Sequence, residues 1–462
     1  MATYKRVLHV FRRDLRLFDN TALQAALSSA SEVVTCFIFN EAQVGKHRYR
    51  SANGLAFMIE SLEELAQDIA ARGGQLLVLK GEHDEVIAQL VRDLKIEAVF
   101  FNKDYTPFSR ARDEAIAKKC HSLSVPCSAL SDVLLVDPSA FGKDDGKPYT
   151  VYTPFFKKAS KLPVAKPTGA PKGTLSAAAH FKGALVSPRD FWPEASAPQR
   201  LSAGGRSRGL GILKTIGDFS SYDDERNLPA VRGTTRLAPH NKFGTVSIRE
   251  AYHCIADKFG PGHTLIRELY WRDFFTHIAF HFPHVFKGAF HRIYDKIEWN
   301  DDKALFRAWC KGVTGFPIVD AGMRELVTTG FMHNRVRMIV ASFLVKDLHI
   351  SWQRGEEFFA QHLTDYDPSV NNGSWQWAAS TGCDAQPYFR IFNPWLQQER
   401  FDSECAYIKH WIPELKDLKP KYIHHMYEQD ITRSVDYPPP IVEHATQKVI
   451  AEEMFRECQP KR

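Results

Sequence analysis

The chain has 462 residues, 44% hydrophobic and 25% charged, a balance that excludes a disordered or fibrous protein and a length that predicts two domains. Sixty Lys plus Arg against 54 Asp plus Glu leave a net charge of +6, a mild excess that permits nucleic-acid binding without demonstrating it. No segment is apolar for long enough to span a bilayer, and MATYKRVLHVFRRDLRLFDN at the start carries charges within every apolar run, so a soluble, cytoplasmic protein with no membrane partner is expected.

From Arg6 to Leu130, β-rich runs alternate with helical patterns: RVLHVF, VVTCFIF, QLLVLKG and AVFFN. Between them Leu55, Met58, Leu62, Leu65 and Ile69 recur at three- and four-residue steps and mark an amphipathic helix. This predicts a doubly wound, parallel α/β domain over residues 1–135. The loop after the first strand, FRRDLRLFDN, has no glycine-rich phosphate fingerprint, which argues against a conventional dinucleotide site there.

Residues 161–200 hold six of the 25 prolines among Ala, Ser, Lys and Gly, the composition of a linker, here bounded at 136–205. From 206 to 462, long segments with helical spacing, such as Thr264–His281 and Gly330–Leu348, predict an all-α domain. The eight cysteines form no C-x-x-C pair, so neither a zinc ribbon nor a disulfide framework is expected, and free thiols are.

Candidate chemistry concentrates in the second domain. NNGSWQW at Asn371 places two tryptophans beside paired asparagines, with Asp365 and Asp367 just upstream. In MHNRVRM, Asn334 and Met338 share a helical face with Arg337 adjoining, while Arg335 points elsewhere. Glu268, Trp271 and Arg272 stand at i, i+3 and i+4; a surface ion pair over a core tryptophan is the plainer alternative. Thr234, Thr235 and Arg236 after Gly233 suit either a phosphate or a helix start.

Together with FRRDLRL at Phe11, SRARD at Ser109, GTTRLAP at Gly233, ELYWRDFF at Glu268, GFPIVDAGMREL at Gly315 and PYFRIFNP at Pro387, these motifs resemble a class I photolyase of the photolyase and cryptochrome family, nearly end to end. The resemblance implies light-driven repair of cyclobutane pyrimidine dimers by electron transfer from photoexcited reduced FAD to a dimer flipped out of the duplex. A cryptochrome-type blue-light photoreceptor is the alternative, against which stands the absence of a long polar tail after the helical segments.

By the same resemblance, FAD lies among Tyr222, Thr234, Thr235, Arg236, Leu237, Arg272, Arg337, Asp365, Asp367 and Asn371. Asn371 faces the flavin N5, its amide free to turn either way, and Ser374 replaces a glycine found in many relatives. Trp271 and Trp377 stack on the lesion, Glu268 and Asn334 bond its pyrimidine edges, and Met338 packs against it. Relatives that repair (6-4) photoproducts present a histidine pair on the corresponding helix; here only His333 is a candidate. Arg226, Arg335, Arg337 and Arg390 resemble DNA-backbone contacts, and Trp299, Trp352 and Trp375 an electron relay that no spacing reveals. Arg50, Asp104 and Lys242 imply an antenna chromophore, 8-hydroxy-deazaflavin in preference to methenyltetrahydrofolate or a flavin nucleotide. UV-damaged DNA is the implied partner of a monomer that needs no metal.

Overall fold

The computed structural model describes residues 2–178, 180–194, 196–427 and 435–459. Runs rich in β-branched and aromatic residues pair as five parallel strands: β1 Tyr4–Phe11, β2 Ala30–Phe39, β3 Leu76–Lys80, β4 Ala98–Asn102 and β5 Cys127–Leu130. They lie in the order β3-β2-β1-β4-β5. Val7, Phe11, Val33 and Phe37 pack with the helices Thr21–Ser29 and Ala52–Ala70. Leu8, Val10, Val34 and Cys36, one residue out of phase, pack with His83–Leu94 and Pro107–Ser122. Helices on both faces explain why these strands read as continuous apolar runs. The chain winds outward from β1 to β3 over one face and returns to β4 over the other, so the loops leaving β1 and β4 diverge and open a crevice.

In the Ala52–Ala70 helix, Leu55, Leu62, Leu65 and Ile69 are buried and Met58 partly so, as the spacing predicts. Ile59 is buried on the same face, and Phe57 is buried on the opposite one. This second face meets the helical region, where Phe57 stacks on Phe243 at 5.2 Å.

The stretch read as linker is not one extended piece. Tyr152–Ala159 is a helix whose Tyr152 and Phe155 sit in a helical core. Further on, the Val33 N–H donates to the Thr174 carbonyl (3.0 Å), the Ser176 N–H to the Val33 carbonyl (2.8 Å) and the Val186 N–H to the Val78 carbonyl (3.0 Å). These contacts cover the outer edge of β2 and β3, which would otherwise expose unpaired backbone groups.

From Arg206 onward every named element among the described residues is helical. Thr264–His281 forms with the bounds the periodicity gives. Gly330–Leu348 shortens to Asn334–Lys346. Gly330, at φ 71°, ends the Pro317–Thr329 helix, and the His333 ring accepts the Arg335 N–H at 3.2 Å to start the next. The eight cysteines are free thiols, and no described helix is long and apolar enough to cross a membrane.

Candidate functional site

Between the Thr264–His281, Asn334–Lys346 and Pro368–Ala378 helices and the Gly233–Leu237 segment lies a cavity of about 590 Å³. Tyr222, Thr234, Thr235, Arg236, Leu237, Arg272, Arg337, Asp365, Asp367 and Asn371 all line it. Glu268, Trp271, Asn334, Met338 and Trp377 line it as well, joined by Arg226, Arg335 and Trp375.

The helix Pro368–Ala378 is started by Asp367, whose carboxylate accepts the Ser369 N–H (3.0 Å) and the Val370 N–H (3.4 Å), with Pro368 at the first helical position. That start sets Asn371, Trp375 and Trp377 along the wall. Asn371 donates from Nδ2 to the Glu356 carbonyl at 3.0 Å, so the amide is held and its oxygen is left to accept from a ligand N–H. Gly373 allows the Phe275 ring to lie on the helix, because a Cβ there would stand 2.1 Å from it. Ser374 is exposed at the cavity rim.

Most of the charged side chains are bonded, though not all to an opposite charge. Arg337 donates to Asp365 at 3.0 Å and to the Met332 carbonyl at 2.8 Å. Arg272 donates to the Val133 carbonyl (2.5 Å) and the Asn241 carbonyl (3.2 Å). Glu268 makes no ion pair with Arg272. It accepts from Arg226 at 2.7 Å instead; burial pushes its carboxyl up and Arg226 counters. Thr235 accepts the Leu237 N–H at 3.3 Å, whereas the Nε of Arg236 and the Oδ1 of Asn241 are buried without partners. A cavity of this volume, lined by unpartnered arginine and amide groups as well as indoles, fits a flavin nucleotide: arginine and threonine suit its phosphates, Asn371 its ring.

A second cavity of about 390 Å³ opens where β1, β2 and β4 end. It is the crevice that a reversal of strand order creates. Arg50, Asp104 and Lys242 all line it, with Phe37, Phe39 and Phe243 as apolar walls. Lys242 lines both cavities. Burial, reinforced by Arg13, pushes its ammonium down to about 8.

Arg13 ties the cavities together. It donates to Asp104 at 3.0 Å and also forms an ion pair with Asp367. Burial alone would push both carboxyls up. Arg13 opposes it most, and with Lys242 and Arg272 around Asp367 and Arg112 and Lys242 around Asp104 the balance is reversed, holding Asp367 at about 2 and Asp104 well below its ordinary range.

Other expected residues lie outside the cavities. Trp352 is buried on the Trp352–His362 helix and Trp299 is half-buried. A Cβ on Gly355, one turn past Trp352, would stand 2.2 Å from the Trp375 ring, so that ring rests on the same helix. Arg390 is exposed, away from either lining. Arg335 reaches the cavity rim, contrary to its helical phase, because it bends to Asn227 (2.7 Å) and over the Phe401 ring (4.4 Å). His333 is buried outside the lining, and burial followed by Arg337 pushes its ring down to about 4. Asn241 and Arg13 went unread in the sequence. The doubled arginine of FRRD was Arg13's only signal.

Comparisons agree with this geometry. Residues 7–172 match the family model described as DNA photolyase, and 265–457 that of the FAD binding domain of DNA photolyase. Fold, cavities and matches define a two-domain flavoprotein. A deoxyribodipyrimidine photo-lyase of Synechococcus sp. is 37% identical, over 95% of this chain and 94% of that protein. An archaeal photolyase from Sulfolobus tokodaii, solved with two FAD molecules, is 40% identical with a TM-score of 0.89, covering 98% of this chain and 100% of that one. A Synechocystis cryptochrome is 28% identical with a TM-score of 0.89, covering 98% and 99%. The chain belongs to the photolyase and cryptochrome family.

Proposed function

We propose that this protein uses light to split cyclobutane pyrimidine dimers in DNA, with FAD in the larger cavity. The observation that carries this reading is the set of lesion-reading side chains, Glu268, Trp271, Asn334, Met338 and Trp377, around one cavity with the flavin-fitting groups. When bound, reduced and photoexcited, FAD supplies one electron to the dimer and receives it back, so the chain need provide no acid, base or metal. Trp271 and Trp377 stack on the pyrimidine rings, worth about 1–3 kcal/mol per base. Asn334 and Glu268 bond their edges, with Arg226 holding the Glu268 carboxyl in place at 2.7 Å. Exposed Arg390 and the cavity-rim arginines serve the DNA backbone, which gives affinity without sequence preference. The test is loss of dimers from an oligonucleotide under blue light with pre-reduced protein. A coloured protein that binds FAD but never repairs would instead favour the photoreceptor, which shares its fold with the Synechocystis cryptochrome.

On this reading Trp375 at the cavity wall, buried Trp352 and half-buried Trp299 serve to reduce oxidised FAD before repair. Trp352→Phe is therefore expected to slow photoreduction, followed by flavin absorbance, while pre-reduced variant and parent repair at equal rates.

The smaller cavity holds the antenna, 8-hydroxy-deazaflavin in preference to methenyltetrahydrofolate. An acceptor group paired with the Lys242 ammonium is held below about pH 8 and released above it, where the amine is neutral. Retention of this chromophore on gel filtration is expected to fall between about pH 7 and 9. In Lys242→Arg it should stay flat, because guanidinium does not titrate in that range.

A further inference from the structure

The indole of Trp271 has a partner on the side away from the cavity. Tyr152 lies parallel to it, with ring centroids 3.6 Å apart and planes within 6°. Phe156 stacks behind Tyr152 at 5.8 Å and 20°, and the Arg267 guanidinium sits over Phe156 at 5.3 Å. Tyr152 is itself fixed at two points: its hydroxyl donates to the Arg267 carbonyl at 2.8 Å, and its N–H to the Asp384 carboxylate at 2.9 Å. Phe274 meets Trp271 edge to face at 5.7 Å. Trp271 lines the cavity and Tyr152 does not; Phe275, tilted by 31° with its centroid 5.5 Å from the indole, lines it too, so a ligand meets the part of the indole that both rings leave open to the cavity.

We propose that Tyr152 is a positioning residue for the lesion, its ring locking the plane of Trp271 so that the open indole face is set before a flipped pyrimidine arrives. The proposal rests on the reading of Trp271 as a lesion-stacking wall. A free indole must give up side-chain motion when a base stacks on it, and that loss is subtracted from the stacking energy. Here the column Phe156–Tyr152–Trp271 has met that loss during folding.

The experiment measures dark binding of FAD-loaded protein to two oligonucleotides of one sequence, one carrying a cyclobutane dimer, by fluorescence anisotropy. Tyr152→Leu is expected to weaken dimer binding on the order of tenfold, the scale of one aromatic pair, and to leave undamaged DNA unaffected. Tyr152→Phe keeps the ring and should bind within about twofold of the parent, since only the exchange of one hydrogen bond is lost. In a Trp271→Ala background, Tyr152→Leu should have no further effect. Equal loss for both oligonucleotides, the same loss in the Trp271→Ala background, or no loss where Trp271→Ala itself causes one, each overturns the proposal. If Trp271→Ala leaves the preference for dimers intact, the lesion-wall reading fails instead. Should Tyr152→Leu lose FAD or thermal stability, Tyr152→Met replaces it in the same cycle.

Discussion

Arg13→Ala is expected to cost about 3–5 kcal/mol of folding stability, because it removes the strongest cation of a buried ion cluster and leaves two carboxylates to the weaker pull of Lys242, Arg272 and Arg112. Asp104 and Asp367 both sit beside Arg13 with side chains no more than a tenth exposed. Asp367 also starts the helix that carries Asn371, Trp375 and Trp377, so FAD retention should fall with stability. The pH dependence has a definite sign. Both carboxyls are held low in the parent, and such groups contribute stability above their unfolded value, about 3.9, that is lost as pH falls through the folded one. Without Arg13, burial is opposed only by the weaker pull of Lys242, Arg272 and Arg112, so both carboxyls rise and the variant has less stability to lose as pH falls. The gap between parent and variant should be widest near neutral pH and narrow toward about pH 4. Thermal unfolding at both pH values, followed by circular dichroism and flavin absorbance, checks this. A gap below about 1 kcal/mol at neutral pH would mean that the cluster holds nothing in place.

Lesion discrimination is the second large effect. Pre-reduced protein under blue light should split cyclobutane dimers and leave (6-4) photoproducts intact. Asn334 is exposed to the cavity with its amide near the Met338 sulfur at 4.0 Å, and neither can deliver a proton as an imidazolium does. His333, the only histidine of that motif, is used to start the helix and is neutral above about pH 4. On the proposed reading, Asn334→Ala removes a contact made only to the flipped lesion. It should weaken dimer binding by about 1–3 kcal/mol and leave undamaged DNA alone. Repair assays on two oligonucleotides, each with one lesion type, decide the matter. Efficient (6-4) repair would refute the assignment without disturbing the flavin site.

The sequence by itself determined what is local. Apolar runs such as VVTCFIF became buried strands, and the spacing within Thr264–His281 became a helix, because period and burial are set by neighbours a few residues apart. Family motifs placed the side chains that line the larger cavity. Tertiary structure decided what depends on chain segments far apart. Arg13 and Asp367 are 354 positions apart, and no periodicity in FRRDLRL points to a helix start near the other end of the chain. Glu268 and Arg272 share a helical face, yet the carboxylate turns to Arg226 because the two backbone carbonyls within reach of Arg272 satisfy its guanidinium. Tyr152 fell within the 136–205 bounds drawn for the linker, ahead of the proline-rich 161–200 stretch that suggested it, and only packing against the Thr264–His281 helix revealed its ring behind Trp271. Local preference chooses an element; burial of its faces against distant partners chooses which side chains meet.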